Sequence, residues 1–134
     1  MSQENVEMVR RLYEHGLLDS ADAEVHNVLA EAEIEYVNPP DAIDPGVRRG
    51  RELRTALGDL TDAFDEREHR LRRVFDAGNA VVADVVFRGR GATSGVSLSQ
   101  EEAHTWTFDH TGRIVRFEWG RDLDQALKAV GLEE

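Results

Sequence analysis

The residues with the greatest capacity for chemistry lie between positions 100 and 121, where large side chains alternate along two predicted strands. A spacing of two places one set of side chains on a single face of the first strand, namely Gln100, Glu102, His104, Trp106 and Phe108. Histidine has an ordinary pKa of about 6.5, so a small shift makes it an acid or a base at neutral pH. His104 is therefore the candidate catalytic residue.

The four residues 109–112, Asp-His-Thr-Gly, predict a tight turn because Gly112 can take a positive φ. The following strand returns three large side chains to the same face, namely Phe117, Trp119 and Arg121. If Phe108 faces Arg113, His104 lies opposite Phe117. Aromatic rings mixed with polar groups predict a polar-lined pocket, whereas the simpler interpretation is a packed sheet face with one hydrogen-bonded histidine.

Glu102 has two interpretations that depend on this register. It lies two residues from His104 on the same face, so it can orient the imidazole ring. In the assumed register it also lies diagonal to Arg121, at a distance typical of a cross-strand pair. The alternative to a role beside His104 is therefore a structural salt bridge between Glu102 and Arg121.

The composition restricts the classes of function. The chain has 134 residues, 40% of them hydrophobic, which predicts a single globular domain over residues 1–134. Its net charge of −11 and pI near 4.9 argue against nucleic acid and membrane as partners. It has no cysteine, which excludes disulfides and thiolate chemistry. No signal-like apolar segment or membrane-length run is present, so we expect the translated chain to be the mature one and cytoplasmic.

The sequence predicts no cofactor and no metal site. The glycines around Arg90 do not match the GxGxxG spacing of dinucleotide-binding loops, and they precede a strand instead of a helix. The remaining histidines lack the HxxxH or HxH spacing of metal ligands; these are His15, His26, His69 and His110. We expect these four histidines to be solvated or to cap helices.

Apolar spacing predicts four helices, three of them before most of the sheet. The first has a stripe formed by Val6, Val9, Leu12, Tyr13 and Leu17. A short second helix follows at Val25, Val28 and Leu29, and a third extends over residues 53–64. The last begins near Asp122, with Gln125 placed to complete a capping box and Gly131 as the residue after its end.

Strands are predicted over residues 34–37, 66–76, 80–88, 96–108 and 113–121. Residues 38–49 contain all three prolines and predict a loop long enough to act as a lid. Helices followed by a meander of long antiparallel strands indicate an α+β fold, with helices on one face of a curved sheet.

This layout resembles the SnoaL-like members of the nuclear-transport-factor-two-like superfamily over almost the whole chain. The resemblance is carried by NPPDAIDPGVRRGRELRTAL, GRGATSGVSLSQEEAHTWTF and GRIVRFEWGRDLDQALKAVGL. It implies a cone-shaped, curved and mostly antiparallel sheet, with three N-terminal helices on its concave side, a short C-terminal helix and a pocket inside. The superfamily includes polyketide cyclases, ketosteroid isomerases, dehydratases, epoxide hydrolases and binding-only members, so the resemblance does not fix a reaction.

The ketosteroid isomerase pattern can be carried over at three positions. The position of its carboxylate base matches Asn38 in YVNPP, and an amide cannot accept a substrate proton at neutral pH. Its oxyanion-hole tyrosine matches Tyr13, and its protonated acid matches His104. Tyr13 is equally consistent with a core tyrosine whose hydroxyl is hydrogen-bonded to a neighbour. Isomerisation through Asn38 is therefore not expected.

Related epoxide hydrolases activate water with an acid, an arginine and a second acid. Glu102 and Arg121 are the nearest match to the first two of these residues. Asp84 supplies the second acid if its side chain points inward, whereas an outward orientation makes it a surface residue.

Together these residues predict a protein that binds a small, largely apolar molecule bearing a carbonyl or hydroxyl group, with cofactor-free acid–base chemistry at His104. Tyr13, Asn38 and Arg121 would position the substrate, and Glu102 would lie beside it. The apolar wall would be Trp106, Phe108, Phe117 and Trp119. The alternative is a non-catalytic ligand-binding or dimeric interaction module of the same fold.

The resemblance also implies a homodimer. The opposite face of the 96–108 strand carries small side chains that could pack sheet against sheet, namely Ser97, Ser99, Ala103, Thr105 and Thr107.

Overall fold

The structure is a computed structural model that describes residues 2–14, 34–40, 42, 45–49, 52 and 62–132. These residues contain helix α1 (Ser2–Glu14), strands β1 (Glu35–Asn38), β2 (Gly46–Arg49), β3 (Phe64–Asp76), β4 (Ala80–Gly91), β5 (Ser97–Phe108) and β6 (Ile114–Gly120), and helix α2 (Leu123–Ala129). The expected helix at residues 25–29, and the expected helix at 53–64 over residues 53–61, lie outside the described residues.

The six strands form one open sheet in the order β2-β1-β6-β5-β4-β3. Every neighbouring pair is antiparallel except β1 and β6, which are parallel. The predicted α+β class and the mostly antiparallel sheet are therefore confirmed. Two parts of the chain differ from the prediction. Phe64 begins β3 instead of ending a helix, and β2 lies within the segment predicted as a loop, because the chain turns back at Gly46 and pairs with β1.

The sheet curves towards the face that α1 covers. His69 on β3 and His104 on β5 are separated by β4, which places their backbones about 10 Å apart in a flat sheet. Their ring centroids are nevertheless only 5.7 Å apart. Side chains from non-adjacent strands therefore converge on this concave face.

Helix α1 packs on the concave face through the predicted apolar stripe. Asn5, Val9 and Tyr13 are buried at successive positions four residues apart, which is one face of a helix. The Asn5 side-chain amide also donates to the carbonyl of Gly78 in the β3–β4 turn. This contact fixes α1 along the sheet and directs Tyr13 towards β5. Leu17 of the predicted stripe lies outside the described residues.

The β5–β6 hairpin has the predicted turn but a different register. Phe108 pairs with Ile114, and a bulge then shifts the register so that His104 pairs with Trp119 instead of Phe117. The predicted register was therefore wrong by two residues at His104. Because side chains alternate with a period of two, an even shift leaves every side chain on its predicted face.

Helix α2 has both predicted ends. Asp122 is the N-cap and accepts a hydrogen bond from the backbone N–H of Gln125. At the other end Gly131 has a φ of 82°, and the backbone N–H of Leu132 donates to the carbonyl of Leu127. The helix packs against β4 and β5. In the described part of the chain, no helix is long and apolar enough to cross a membrane.

Part of the face expected to form a dimer is already buried within the single chain. Ala103 and Thr105 are 2% and 9% exposed, whereas Ser97 and Ser99 are exposed. The homodimer remains a prediction, and any sheet-to-sheet contact would have to use the exposed end of β5.

Candidate functional site

His104 lies at the centre of a buried hydrogen-bond network on the concave face. It is 1% exposed, and both of its ring nitrogens have polar partners. The Tyr13 hydroxyl lies 2.6 Å from Nδ1, and Oε1 of Glu102 lies 2.7 Å from Nε2. Helix α1 supplies the tyrosine, and alternation along β5 supplies the other two side chains. The structure thus brings together three of the residues predicted from the sequence.

The partners of Glu102 keep its carboxylate ionised. Burial by itself raises the pKa of Glu102, but the hydrogen bond and charge of His104, the charge of His69 and the hydrogen bond from Gln100 hold it below its ordinary value. The amide nitrogen of Gln100 donates to Oε2 at 2.7 Å. Glu102 is therefore a buried acceptor of hydrogen bonds at neutral pH.

The ionised carboxylate determines the direction of the whole network. When His104 is neutral, its Nε2 carries the proton because Glu102 can only accept, and Nδ1 is then an acceptor. The Tyr13 hydroxyl must donate to Nδ1, while its oxygen accepts from the indole N–H of Trp106 at 3.0 Å. The donors therefore point in one direction, from Trp106 through Tyr13 and His104 to Glu102.

Arg121 lies one residue beyond the last β5–β6 pair, which joins Ala103 and Gly120, and its salt bridge with Glu102 remains a prediction. Its Nε donates to Oε1 of Gln100 at 3.1 Å, so Gln100 lies between the arginine and the carboxylate. Its guanidinium carbon lies 5.2 Å from the centre of the Trp119 ring. Arg121 therefore reaches the network through Gln100 and Trp119, at the exposed rim of the site.

Asn38 lies at the same rim. Its side-chain oxygen accepts a hydrogen bond of 2.6 Å from the indole N–H of Trp119. Both residues are half-buried. The position that the resemblance matches to the base of a ketosteroid isomerase thus holds an amide bound to an aromatic side chain, and the role of Asn38 in positioning a substrate remains a prediction.

The four aromatic residues predicted to form the wall of a pocket differ in depth, and three of them belong to the core. Trp106 is 1% exposed and its ring lies 4.4 Å from that of Phe117, which in turn lies 5.2 Å from His104. Phe108 is 2% exposed and belongs to the core beneath α1. Trp119 is the half-buried member of the wall. These rings surround the network with apolar surface and leave Trp119 nearest the rim.

His69 was missed by the sequence analysis. It was expected to be solvated or a cap, but it is 9% exposed on the concave face, with Nε2 3.9 Å from Oε1 of Glu102. Its ring lies 4.7 Å from Phe87, the residue with which it pairs on β4. The available signal was the alternation of His69 with Leu71, which is half-buried on the same strand.

Tyr36 was also missed. It lies on β1 opposite Phe117, and the two rings stack at 5.4 Å. Burial, and then the charge of Glu102, raise the pKa of Tyr36 to about 12, while a hydrogen bond with Trp119 and the charge of Arg48 act in the opposite sense. Tyr36 is thus a neutral hydroxyl beside the carboxylate. Its spacing of two from Asn38 was the signal that placed both on one face.

Asp84 does not supply a second acid to this site. It pairs with Ala103, whereas Ala83 pairs with His104, so Asp84 lies on the opposite face of the sheet. There it is 3% exposed and accepts hydrogen bonds from Arg72 at 2.8 Å and Arg73 at 3.1 Å. The bulge between Leu71 and Arg73 lets both neighbouring arginines reach one carboxylate.

A cavity of about 450 Å³ lies beside Asp84 and its two arginines. Its wall is formed by Arg72, Arg73, Asp84, Glu101, Glu102, Arg121 and Leu123. Asp84 and the arginines bound to it place this part of the wall on the face opposite His104.

Solved structures share this fold along nearly the full length of the chain. A candidate SnoaL-like polyketide cyclase from Jannaschia sp. CCS1 is 18% identical with a TM-score of 0.73, over 99% of this chain and 95% of that one. A nuclear-transport-factor-two-like protein from Burkholderia thailandensis E264 is 24% identical with a TM-score of 0.73, over 93% and 95%. IdmH, a candidate polyketide cyclase from Streptomyces antibioticus, is 20% identical with a TM-score of 0.67, over 96% and 99%.

At these identities the likeness establishes the fold and not the activity. No curated protein matches the chain significantly. The family model for the SnoaL-like domain matches residues 9–117, which is most of the chain. The match includes α1 from Val9 onwards, the six strands as far as Phe117, and Tyr13, Glu102, His104 and Trp106 of the network. The protein therefore belongs to the SnoaL-like domain family.

Proposed function

We propose that this protein binds a small, largely apolar molecule bearing a carbonyl or hydroxyl group on the concave face of its sheet, and that Tyr13, His104 and Glu102 act together as its acid–base group. The observation that supports this proposal is the chain of short contacts from the Tyr13 hydroxyl to Nδ1 of His104 at 2.6 Å and from Nε2 of His104 to Oε1 of Glu102 at 2.7 Å. Such a chain moves a proton without moving a side chain far.

In the proposed reaction Tyr13 is the member that contacts the substrate. As the substrate gives up a proton to the Tyr13 oxygen, Tyr13 passes its own proton to Nδ1 of His104. The resulting imidazolium keeps its Nε2–H bond to the Glu102 carboxylate, which stabilises the positive charge. Proton donation is the reverse of these steps. His104 acts through Tyr13, which agrees with its 1% exposure.

The half-buried rim supports a ligand with one polar end. Tyr36 and Trp119 offer ring surface, and Asn38 and Arg121 offer polar groups beside it. A flat, mostly apolar molecule suits this mixture, because aromatic surface supplies burial and a few polar groups fix orientation. Similar folds in candidate polyketide cyclases fit the same substrate class.

A second function is favoured by one observation. Both nitrogens of His104 are already hydrogen-bonded, and the ring is almost completely buried. This is the arrangement expected of a structural histidine in a binding module without turnover. The two functions differ in proton transfer, because only the acid–base function requires a proton to leave the ligand.

Exchange of protons for deuterium in a model ketone distinguishes the acid–base function from the binding module, and it requires no knowledge of the natural reaction. β-Tetralone is a flat ketone with acidic C–H groups, and its uptake of deuterium from D2O can be followed by NMR. We expect binding to quench the fluorescence of the two tryptophans and exchange to accelerate. In Tyr13→Phe and His104→Gln we expect the acceleration to fall by about 100-fold or more.

The matched control is His110→Gln, which changes an exposed histidine in the β5–β6 turn and should keep the wild-type exchange rate. Wild-type exchange in both Tyr13→Phe and His104→Gln would remove the acid–base role. Tryptophan quenching by wild type without any accelerated exchange would support the binding module instead.

A further inference from the structure

We propose that His69, Glu102 and His104 form a binding site for one divalent transition-metal ion. One donor atom from each residue lies within 4.8 Å of the other two, and all three residues are buried. Oε1 of Glu102 lies 2.7 Å from Nε2 of His104 and 3.9 Å from Nε2 of His69. This inference goes beyond the proposed function and does not depend on it.

The separations suit coordination by a single ion. Nitrogen and oxygen ligands lie about 2.0–2.2 Å from zinc, so two ligands of one tetrahedral ion are about 3.4 Å apart. The observed values of 2.7 and 3.9 Å fall on either side of this separation. A small rotation of His69 towards the carboxylate, together with a small separation of His104 from it, completes the geometry.

Two of the atoms that do not converge, one on Glu102 and one on His104, already have hydrogen-bond partners. Oε2 of Glu102 accepts from Gln100, which leaves Oε1 directed at the histidines. Nδ1 of His104 faces the Tyr13 hydroxyl at 2.6 Å. When a metal replaces the proton on Nε2, the proton moves to Nδ1, and the Tyr13 oxygen can accept from it. Partners of this kind orient metal-binding histidines and carboxylates in known sites.

Charge also favours a cation at this position. Glu102 carries a negative charge with only 8% of its surface exposed, and a buried charge is costly unless it is paired. A divalent ion would bind all three donors and place a positive charge beside the Glu102 carboxylate.

The donor types select the class of metal. Two imidazole nitrogens and one carboxylate oxygen favour Zn²⁺, Co²⁺, Ni²⁺ or Fe²⁺ over Mg²⁺ and Ca²⁺, which prefer oxygen ligands. Three protein ligands leave at least one coordination position for water or a ligand. Glu102 also lines the 450 Å³ cavity.

The test uses untagged protein stripped with a chelator and no substrate. Zn²⁺ binding is measured by calorimetry, and Co²⁺ binding by its visible absorption. We expect one equivalent of either ion to bind per chain and Mg²⁺ not to bind. In His69→Ala and Glu102→Gln we expect affinity to fall by at least about 100-fold, and in Gln100→Ala by about 10-fold, because Gln100 only orients the carboxylate.

His110→Ala is the matched control, since it removes an exposed histidine and should retain full binding. Circular dichroism confirms that each variant is folded, and Gln100→Ala keeps the test decisive if the buried variants unfold. Lack of stoichiometric binding by wild type, or equal binding by wild type and Gln100→Ala, would overturn the metal site. Proton exchange is measured separately in chelator-stripped protein, so the two proposals fail independently.

Discussion

Two buried carboxylates on opposite faces of the same sheet differ in the chemistry of their partners. Asp84 is bracketed by Arg72 and Arg73, whose guanidinium groups keep their positive charge at every relevant pH. Glu102 is bonded to His104 and Gln100 and faces His69. An arginine keeps its positive charge and neutralises a carboxylate at every relevant pH, whereas a histidine can gain or lose a proton or bind a metal.

Because their partners differ, we expect Asp84 to have a structural role and Glu102 to have a reactive one. The arginines beside Asp84 are 41% and 63% exposed, so water also solvates them. The histidines beside Glu102 are 9% exposed or less, so they contact other protein groups instead of water. We therefore expect substitutions on the concave face to affect stability and chemistry together, and substitutions at Asp84 to affect stability alone.

The largest effect is expected from His104→Ala. It removes the imidazole that bonds Glu102 and Tyr13 and leaves a carboxylate buried beside a cavity. Breaking a buried pair in this way costs about 3–5 kcal/mol of unfolding free energy, which denaturant titration measures. His110→Ala, in the exposed turn, should change it by less than about 0.5 kcal/mol. Equal losses of unfolding free energy in His104→Ala and His110→Ala would contradict a stabilising role for His104 in the buried network.

The next largest effect is expected from Tyr13→Phe. The ring contacts with His104 and Trp106 can persist, but both residues lose the hydroxyl as a hydrogen-bond partner. We expect a loss of about 2 kcal/mol by denaturant titration, because unsatisfied buried groups are costly. Tyr36→Phe is the same change at a half-buried tyrosine, and it should reduce the unfolding free energy by less. A greater loss at Tyr36 would argue against the network around His104.

Asp84→Asn should have a smaller effect. It keeps the shape of the side chain and removes the charge that bonds the two arginines. Because these arginines are partly hydrated, we expect a loss of about 1 kcal/mol. Tryptophan quenching by β-tetralone should not change, since both tryptophans lie on the other side of the sheet from Asp84. A change in quenching would show that the two faces are coupled.

The smallest effect is expected at Asp109, a half-buried carboxylate in the β5–β6 turn. Its Oδ1 accepts from the hydroxyl and backbone N–H of Thr111 and from the backbone N–H of Arg113. The Thr111 hydroxyl and the Arg113 backbone lower the pKa of Asp109 from 3.8 to about 2. The ionised form thus stabilises the fold above about pH 4, and this contribution disappears as the pH falls towards 2.

The melting temperatures of wild type and Asp109→Asn should therefore differ near pH 5 and converge at lower pH. A difference that stays constant with pH would show that Asp109 does not use its charge in the turn.

The sequence allowed the hairpin and its inward face to be predicted, because alternation and the turn at Gly112 are local signals. It did not reveal the bulge before Phe108, since nothing in the side-chain pattern marks the extra residue. It also could not bring His69 to Glu102, because this contact depends on sheet curvature between strands separated by β4. The orientation of Asp84 was ambiguous for a related reason: residues 80–85 of β4 are buried on both faces.

The most direct test is the protonation of the His104 ring nitrogens in metal-free protein, read by ¹⁵N NMR of histidine-labelled chain and assigned with His104→Gln. If Glu102 is the buried acceptor and Tyr13 the donor, the spectrum at neutral pH will show a proton on Nε2 and a lone pair on Nδ1. A proton on Nδ1, or two nitrogens in rapid exchange between both forms, would contradict the directed network on which the acid–base proposal depends.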